Sequence, residues 1–130
     1  MGGQKLALQI HVVPVDKATV IHLKGRIDGP AAEYLLTTLS SLIETDKILL
    51  VVDFKDLKFI GSVGLRALLA CDRKLKPKTG QLHLCNLSRD IAEVFEITAF
   101  TELFPIHADL DQALAKINGD SSTAPGVSAM

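Results

Sequence analysis

The stretch that decides the fold is KILLVVDFKDLKFIGSVGL, which occupies residues 47–65. After its lysine the run through residue 52 is apolar without interruption, which is typical of a β-strand covered on both faces. Asp53 ends that run, and residues 54–61 are predicted to form a short loop. Ser62 then begins a helix that carries leucines along one face. A buried strand that leads into an amphipathic helix is typical of an α/β fold.

The residues nearest the N-terminus predict a β-hairpin. Residues 6–13 alternate in the way that half-buried strands do, and residues 18–27 form a second strand. Residues 14–17, which begin with a proline, are predicted to be the turn between them.

A helix is predicted to follow the hairpin, because from Pro30 the apolar residues recur with helical spacing. Proline suits a first helical turn, where its missing N–H has no partner. Asp28 is placed to cap this start, and Leu35 and Leu39 are expected to lie in the core.

Two further strand and helix pairs are predicted after the central stretch. Residues 81–85 form a short strand, and Ser88 can cap the helix that follows it. Residues 103–107 form another short strand, where Pro105 favours a position at the edge of the sheet. Asp109 then begins the last helix.

The predicted order of elements is β-β-α-β-α-β-α-β-α, within a single α/β domain. Because strands and helices alternate from residue 18 onward, the sheet should be largely parallel, with the first strand antiparallel at one side. The domain is predicted to span residues 4–118. Residues 119–130 are mostly glycine, serine, alanine and proline with little to bury, so we expect a disordered tail.

Composition excludes several classes of protein. The 130 residues include 14 lysines and arginines against 15 aspartates and glutamates, a balance that argues against a nucleic-acid binder or an anionic-membrane binder. The longest apolar runs are far shorter than the roughly 18 residues of a membrane span. The first five residues lack the pattern of a signal peptide. Cys71 and Cys85 lie in apolar stretches, so we expect reduced, buried thiols and a cytoplasmic protein.

No catalytic signature is present in the sequence. Phosphate-binding glycine loops, paired-cysteine motifs and zinc-binding histidine motifs are all absent. The four histidines are far apart in sequence and fall on predicted strands, where packing is their commonest role. Ser62 has no histidine near it in sequence to act as a base. The chain is therefore predicted not to be an enzyme, and no metal or other cofactor is expected.

The candidate site lies where the chain leaves two neighbouring strands. In open sheets, ligands and partners meet the loops beyond the carboxyl ends of parallel strands. Residues 25–30 and residues 53–61 are two such segments, so we expect them to lie side by side and to form one surface with Ser62. Phe59 and Ile60 are expected to anchor this approach from below. Ser62 is either a simple N-cap or an exposed hydroxyl at a helix start that would tolerate a phosphate.

The central stretch resembles the signature of STAS domains, and most closely the bacterial anti-sigma factor antagonists. In that family an apolar strand ends in Asp and is followed by an apolar residue, Asp, Ser, Ser or Thr, Gly and Leu. The residues that match are Asp53, Ile60, Ser62, Gly64 and Leu65, and Gly25 and Asp28 match a second family motif. The resemblance implies a STAS-type fold, a mixed and mostly parallel sheet of about five strands with about four helices packed mainly on one side.

The resemblance also implies a function, that of a non-catalytic regulatory switch. In antagonists the serine at the position of Ser62 is phosphorylated by a partner kinase. That partner is an anti-sigma factor of the histidine-kinase-like ATPase type, which supplies its own ATP and magnesium, and a PP2C-type phosphatase reverses the reaction. The residues expected to touch the partner are Asp28, Gly61, Ser62, Val63, Gly64 and Arg66.

Two departures from the family pattern support an alternative. The acidic residue that precedes the serine is Gly61 here, and the Ser or Thr that follows it is Val63. The alternative is a constitutive STAS interaction module, either a transporter subunit or a signalling scaffold, in which Ser62 is never phosphorylated.

Overall fold

Five strands and four helices alternate along the chain in the predicted order. The computed structural model describes residues 7–123, with the side chains of residues 7–119. The strands are β1 (Leu8–Val15), β2 (Ala18–Ile27), β3 (Leu49–Ile60), β4 (Gln81–Cys85) and β5 (Ile106–His107). The helices are α1 (Gly29–Glu44), α2 (Ser62–Leu75), α3 (Arg89–Ile97) and α4 (Leu110–Thr123), with short 3-10 turns at Lys76–Lys78 and Phe100–Glu102.

The five strands form one sheet in the order β1-β2-β3-β4-β5. The first pair is an antiparallel hairpin and every other pair is parallel, which confirms the predicted mixed sheet. The turn of the hairpin is shorter than predicted, because Pro14 pairs with Thr19 inside β1. Proline is tolerated there because β1 is an edge strand, where a missing N–H can face solvent.

Polar side chains cap three helices at the predicted positions. In each cap the side-chain oxygen accepts a hydrogen bond from a backbone N–H of the first turn, which has no partner within the helix. The caps are Asp28 with Ala31 at 3.2 Å, Ser88 with Ile91 at 3.3 Å and Asp109 with Gln112 at 2.9 Å.

The helices pack on both faces of the sheet, with three helices on one face and one helix on the other. Helices α1, α2 and α3 cover one face and enclose the larger core, in which Leu35 and Leu39 are fully buried as predicted. Helix α4 covers part of the other face, and Ala113 and Ile117 pack there against a smaller cluster that includes Val51. The expected arrangement of helices mainly on one side is therefore confirmed.

Strand β3 is longer than predicted, and the predicted loop at residues 54–61 was wrong. The strand continues to Ile60 and stays paired with β2. Two register shifts each place one extra residue in β3, so its buried residues, Phe54, Leu57 and Ile60, recur at every third position. A β-strand without bulges would bury every second residue, and this segment therefore does not have the sequence pattern of a strand.

The domain edges differ in detail from the prediction. Helix α4 runs to Thr123, whereas the tail was expected to begin at residue 119. Residues 4–6 of the predicted domain and residues 124–130 of the predicted tail lie outside the described residues. Strand β5 contains two of the five predicted residues and lies at the edge of the sheet, as expected. No helix in residues 7–123 has both the length and the hydropathy that a bilayer crossing requires.

Candidate functional site

The carboxyl ends of β2 and β3 lie side by side and bring the two predicted segments together. Ile27 pairs with Ile60, and the Gly61 N–H donates a hydrogen bond to the Ile27 carbonyl oxygen at 3.0 Å. The chain then enters α1 through Asp28 and α2 through Ser62 at the same edge of the sheet. We call the exposed residues of this edge, Asp28, Ser62, Val63 and Arg66, together with the half-buried Gly61, the Ser62 surface.

Ser62 is exposed and is the first residue of α2. The N-cap of this helix is Gly61, with extended backbone angles, and no side chain caps the helix. The simple N-cap role for Ser62 is therefore excluded. Among the described residues, the Ser62 hydroxyl makes no hydrogen bond, so it is available to a second molecule.

Gly64 is buried and lets α2 pack closely on the ends of β2 and β3. A Cβ atom at this position would stand 2.7 Å from Ile27 Cγ2 and 2.7 Å from Ile60 Cγ1. Gly64 faces the core of its own domain, and its predicted contact with a partner stays a prediction. Its role is to set the height of the first turn of α2 above the sheet.

A shallow apolar groove between α1 and α2 adjoins the Ser62 surface and has a volume of about 340 Å³. Val63 and Arg66 of the Ser62 surface line it from α2. The side chains that line it from α1 are Ala32, Glu33 and Leu36. Sequence reasoning did not place these α1 residues at the site, although helical spacing does put Leu36 beside the buried Leu35. The Ser62 surface thus combines a hydroxyl, a guanidinium and an apolar depression.

Only one of the two residues expected to anchor the approach to Ser62 does so. Ile60 is buried, but the Phe59 side chain is 41% exposed. The guanidinium of Arg26 lies over the Phe59 ring, 4.5 Å from its centroid, as a cation–π pair. Phe59 and Ile60 pair in regular succession with Arg26 and Ile27, and adjacent residues of a strand point to opposite faces, so only one of the two can face the core.

A buried carboxylate, that of Asp53, joins three strands of the sheet. Asp53 Oδ2 accepts a hydrogen bond from His22 Nδ1 at 2.7 Å, while Oδ1 accepts from the Lys55 N–H at 3.0 Å and from Asn86 Nδ2 at 2.9 Å. Burial alone raises the pKa of Asp53, but the hydrogen bonds from Asn86, the Lys55 amide and His22 outweigh it, so the pKa is lowered. The carboxylate is therefore ionised at neutral pH.

This Asp53 cluster, formed by His22, Asp53, the Lys55 amide and Asn86, was missed at the sequence level. The four histidines were expected to be separate packing residues, yet His22 lies opposite Asp53 in the parallel register of β2 and β3. The side-chain partners of Asp53, His22 and Asn86, are 31 and 33 residues away in sequence, so only the strand order brings them together. Cys71 and Cys85 are free and buried, as expected.

Comparisons with known proteins agree with this geometry. The STAS domain family model matches residues 9–113. BtrV of Bordetella bronchiseptica, named as a candidate anti-sigma factor antagonist, is 32% identical over 101 residues, which are 78% of this chain and 87% of BtrV.

Solved structures share the fold. An anti-sigma factor antagonist from Mycobacterium paratuberculosis superposes with a TM-score of 0.79 and 27% identity, over 85% of this chain and 94% of that chain. The phosphorylated Bacillus cell fate determinant SpoIIAA superposes with a TM-score of 0.65 and 23% identity, over 85% of this chain and 99% of that chain. The chain therefore belongs to the STAS domain family, as a member of its anti-sigma factor antagonist branch.

Proposed function

We propose that Ser62 is the phosphorylation switch of an anti-sigma factor antagonist. Anti-sigma factor antagonists are non-catalytic, so the action of this chain lies in the partner that it binds. The unphosphorylated chain binds an anti-sigma factor that is also a serine kinase of the histidine-kinase-like ATPase type, and phosphorylation ends the binding. The observation that supports this most directly is the exposed Ser62 hydroxyl, unbonded among the described residues, at the start of α2.

A phosphate on Ser62 should be compatible with the fold. The first N–H groups of a helix lack partners within the helix, and the helix dipole is positive at this end. Both features favour an anion at the position of Ser62. SpoIIAA, which shares the fold, has structures in unphosphorylated and phosphorylated forms.

The same phosphate should oppose binding. It adds about −1.5 to −2 charges to the Ser62 surface at neutral pH. Val63 and the apolar groove lie beside Ser62, and a partner packed there would have to desolvate the new charge. Arg66 is four residues along the same helix and exposed, so it is a neighbour able to pair with the phosphate rather than with the partner.

The test compares the wild-type chain with Ser62→Ala and Ser62→Asp. Intact-mass measurement of protein from the native host should show a phosphorylated fraction in the wild type and none in Ser62→Ala. Ser62→Asp should fold normally and fail to retain the kinase-type partner, whereas Ser62→Ala should retain it. The matched control is Ser88→Asp, since Ser88 is also exposed at a helix start and Asp is a good N-cap. Loss of the partner in Ser88→Asp as well would mean that general charge, and not Ser62, governs binding.

The constitutive STAS module remains the second candidate, and Gly61 and Val63 favour it. Gly61 removes the acidic neighbour of the serine, and Val63 replaces a hydroxyl with an apolar side chain that is 37% exposed. In this alternative no phosphorylated fraction is found, and a partner binds wild type, Ser62→Ala and Ser62→Asp equally.

In the switch, a PP2C-type phosphatase restores the binding form, so added phosphatase should return the phosphorylated chain to its unmodified mass.

A further inference from the structure

Two imidazole rings lie next to each other across the β1–β2 hairpin. His11 and His22 are directly paired in register, with ring centroids 6.2 Å apart and planes inclined by 26°. His11 is exposed and makes no hydrogen bond among the described residues, while His22 is partly exposed. An open groove of about 430 Å³ runs past both rings, and its other polar walls are Gln9, Lys24 and Asp56.

The hydrogen bond of His22 to Asp53 determines which ring nitrogen faces this groove. Because the Asp53 carboxylate is ionised, it can only accept, so the neutral His22 ring carries its proton on Nδ1. Nε2 then has a lone pair that makes no hydrogen bond among the described residues, and His11 on β1 lies on the other side of His22 from Asp53 on β3. A carboxylate behind Nδ1 is the arrangement that orients histidines whose other nitrogen binds a metal ion.

The charge of Asp53 favours a cation in the same place. Its side chain is only 8% exposed, and within residues 7–119 the one basic group within ion-pair distance is His22, while the neutral Cys85 thiol lies 3.9 Å from Oδ1. The Lys55 amide and the Asn86 side chain that occupy its other oxygen are neutral donors. A positive ion on His22 Nε2 would therefore interact favourably with a buried negative charge that is otherwise balanced only by neutral groups.

We infer that His11 and His22 bind a divalent transition-metal ion of the class that prefers imidazole, such as Zn²⁺ or Ni²⁺. With metal-to-nitrogen distances of about 2.0–2.1 Å, two imidazoles on one ion have centroids roughly 5–6 Å apart. The two rings are 6.2 Å apart, and a rotation of the exposed His11 ring would bring one of its nitrogens to the same ion as His22. Among the described residues no group of three or more ligand-type side chains is arranged to hold a metal. The chain thus supplies two ligands, and water fills the other positions.

The other histidine pair of the protein provides a built-in comparison. His83 Nδ1 lies 2.9 Å from His107 Nε2, and His83 Nε2 lies 2.8 Å from Gln81 Oε1. These contacts engage both nitrogens of His83 and one of His107. The His83 side chain is also buried. This pair should therefore not bind the ion.

The experiment is calorimetric titration of the untagged full-length chain with Zn²⁺ and, separately, Ni²⁺, in the presence of a phosphine reductant. We expect one ion per chain, with affinity reduced at least tenfold in His11→Ala and in His22→Ala and unchanged in His107→Ala. Asp53→Asn should keep both ligands but weaken binding by about 10–100-fold, the usual effect of losing the group behind a ligand. Lys24→Met should tighten binding, because it removes a positive charge from the groove.

Imidazole NMR signals make the result independent of any folding defect in the His22 and Asp53 variants. In the wild-type chain, substoichiometric Ni²⁺ should broaden the ring signals of His11 and His22 before those of His83 and His107. The inference is overturned by the absence of saturable binding to the wild type. It is equally overturned if His11→Ala binds as tightly as the wild type, or if Ni²⁺ broadens the His83 and His107 signals first.

Discussion

At the scale of single residues, Asp53 links three neighbouring strands of the sheet. Its two carboxylate oxygens receive hydrogen bonds from β2, from β3 itself and from the residue that follows β4. The bond to the Lys55 N–H falls within the first register shift of β3, where the backbone leaves regular pairing with β2. Asp53 therefore satisfies a backbone group that the bulge would leave without a strand partner.

Asp53 predicts an acid-sensitive component of stability. The pKa of Asp53 in the folded chain is lower than the unfolded value of about 3.9. The carboxylate's contribution to the free energy of unfolding is therefore complete above about pH 3.9 and is lost as the pH falls through the folded pKa. We expect Asp53→Asn to lower the free energy of unfolding at neutral pH by about 1.5–3 kcal/mol, typical of bonds to a charged group. The difference from wild type should shrink below about pH 4.

Urea unfolding of both chains between pH 7 and pH 2.5 measures this difference. Asp56→Asn is the matched control, since Asp56 is an exposed carboxylate of the same strand. A constant gap between wild type and Asp53→Asn across the whole pH range would show that the Asp53 charge is not what stabilises the cluster.

At the scale of elements, sequence periodicity predicted most of the fold but not the second half of β3. The order of strands and helices could be predicted because each apolar segment keeps one period and ends at a proline, a glycine or a capping residue. Residues 54–60 bury every third side chain, because two bulges interrupt the two-residue alternation. A period of three matches neither a regular strand nor an amphipathic helix, so the pattern does not predict a strand here.

The candidate site, like the fold, was predictable from the sequence only in part. The proximity of Asp28 and Ser62 followed from a general rule for parallel strands, and the register of Ile27 with Ile60 confirms it. The α1 wall of the groove and the partners of Asp53 depend on packing angles and on pairing between distant segments, which no local pattern encodes. His22 and Asn86 became partners of Asp53 only through the strand order.

The contact between α2 and the sheet predicts a specific effect of Gly64→Ala. Alanine would raise helix propensity by up to about 1 kcal/mol. Its Cβ, however, would lie 2.7 Å from branch carbons of the buried Ile27 and Ile60, and relieving such overlap costs roughly 1–3 kcal/mol. We expect a net loss of stability of up to about 2 kcal/mol, together with displacement of the first turn of α2 and of Ser62.

The matched control is Gly29→Ala in the first turn of α1, where an added Cβ meets nothing within 4 Å. That variant should be neutral or slightly more stable in denaturant unfolding. If Gly64→Ala gained stability as Gly29→Ala does, the position would be merely tolerated and close packing would not require glycine.

At the scale of the whole molecule, the sheet separates two cores of unequal size. The larger core lies under α1, α2 and α3, and the smaller one lies under α4. The Ser62 surface lies at the edge of the sheet and belongs to neither core, so its charge can change without disturbing either. The two layers of helices, α1 to α3 on one face and α4 on the other, can also open with different free energies, because α4 buries few apolar side chains.

The two cysteines report on these layers separately. Cys71 lies on α2 in the larger core, whereas Cys85 lies on β4 against the face that α4 covers. Burial raises the pKa of each thiol to about 12, with Asp53 and Asp109 adding to the effect at Cys85. Neither thiol should therefore react with an alkylating reagent until its layer opens.

We expect Cys85 to be alkylated at least tenfold faster than Cys71 in native buffer, because detaching α4 needs less free energy than unfolding the larger core. Peptide mass spectrometry after timed alkylation gives both rates from one sample, and full denaturant, where both thiols are exposed, provides their intrinsic rates. Ile117→Ala removes a buried contact of α4, so it should accelerate the alkylation of Cys85 and leave that of Cys71 unchanged. Equal rates for the two thiols in the wild type, accelerated equally by Ile117→Ala, would instead mean that both layers unfold as one cooperative unit.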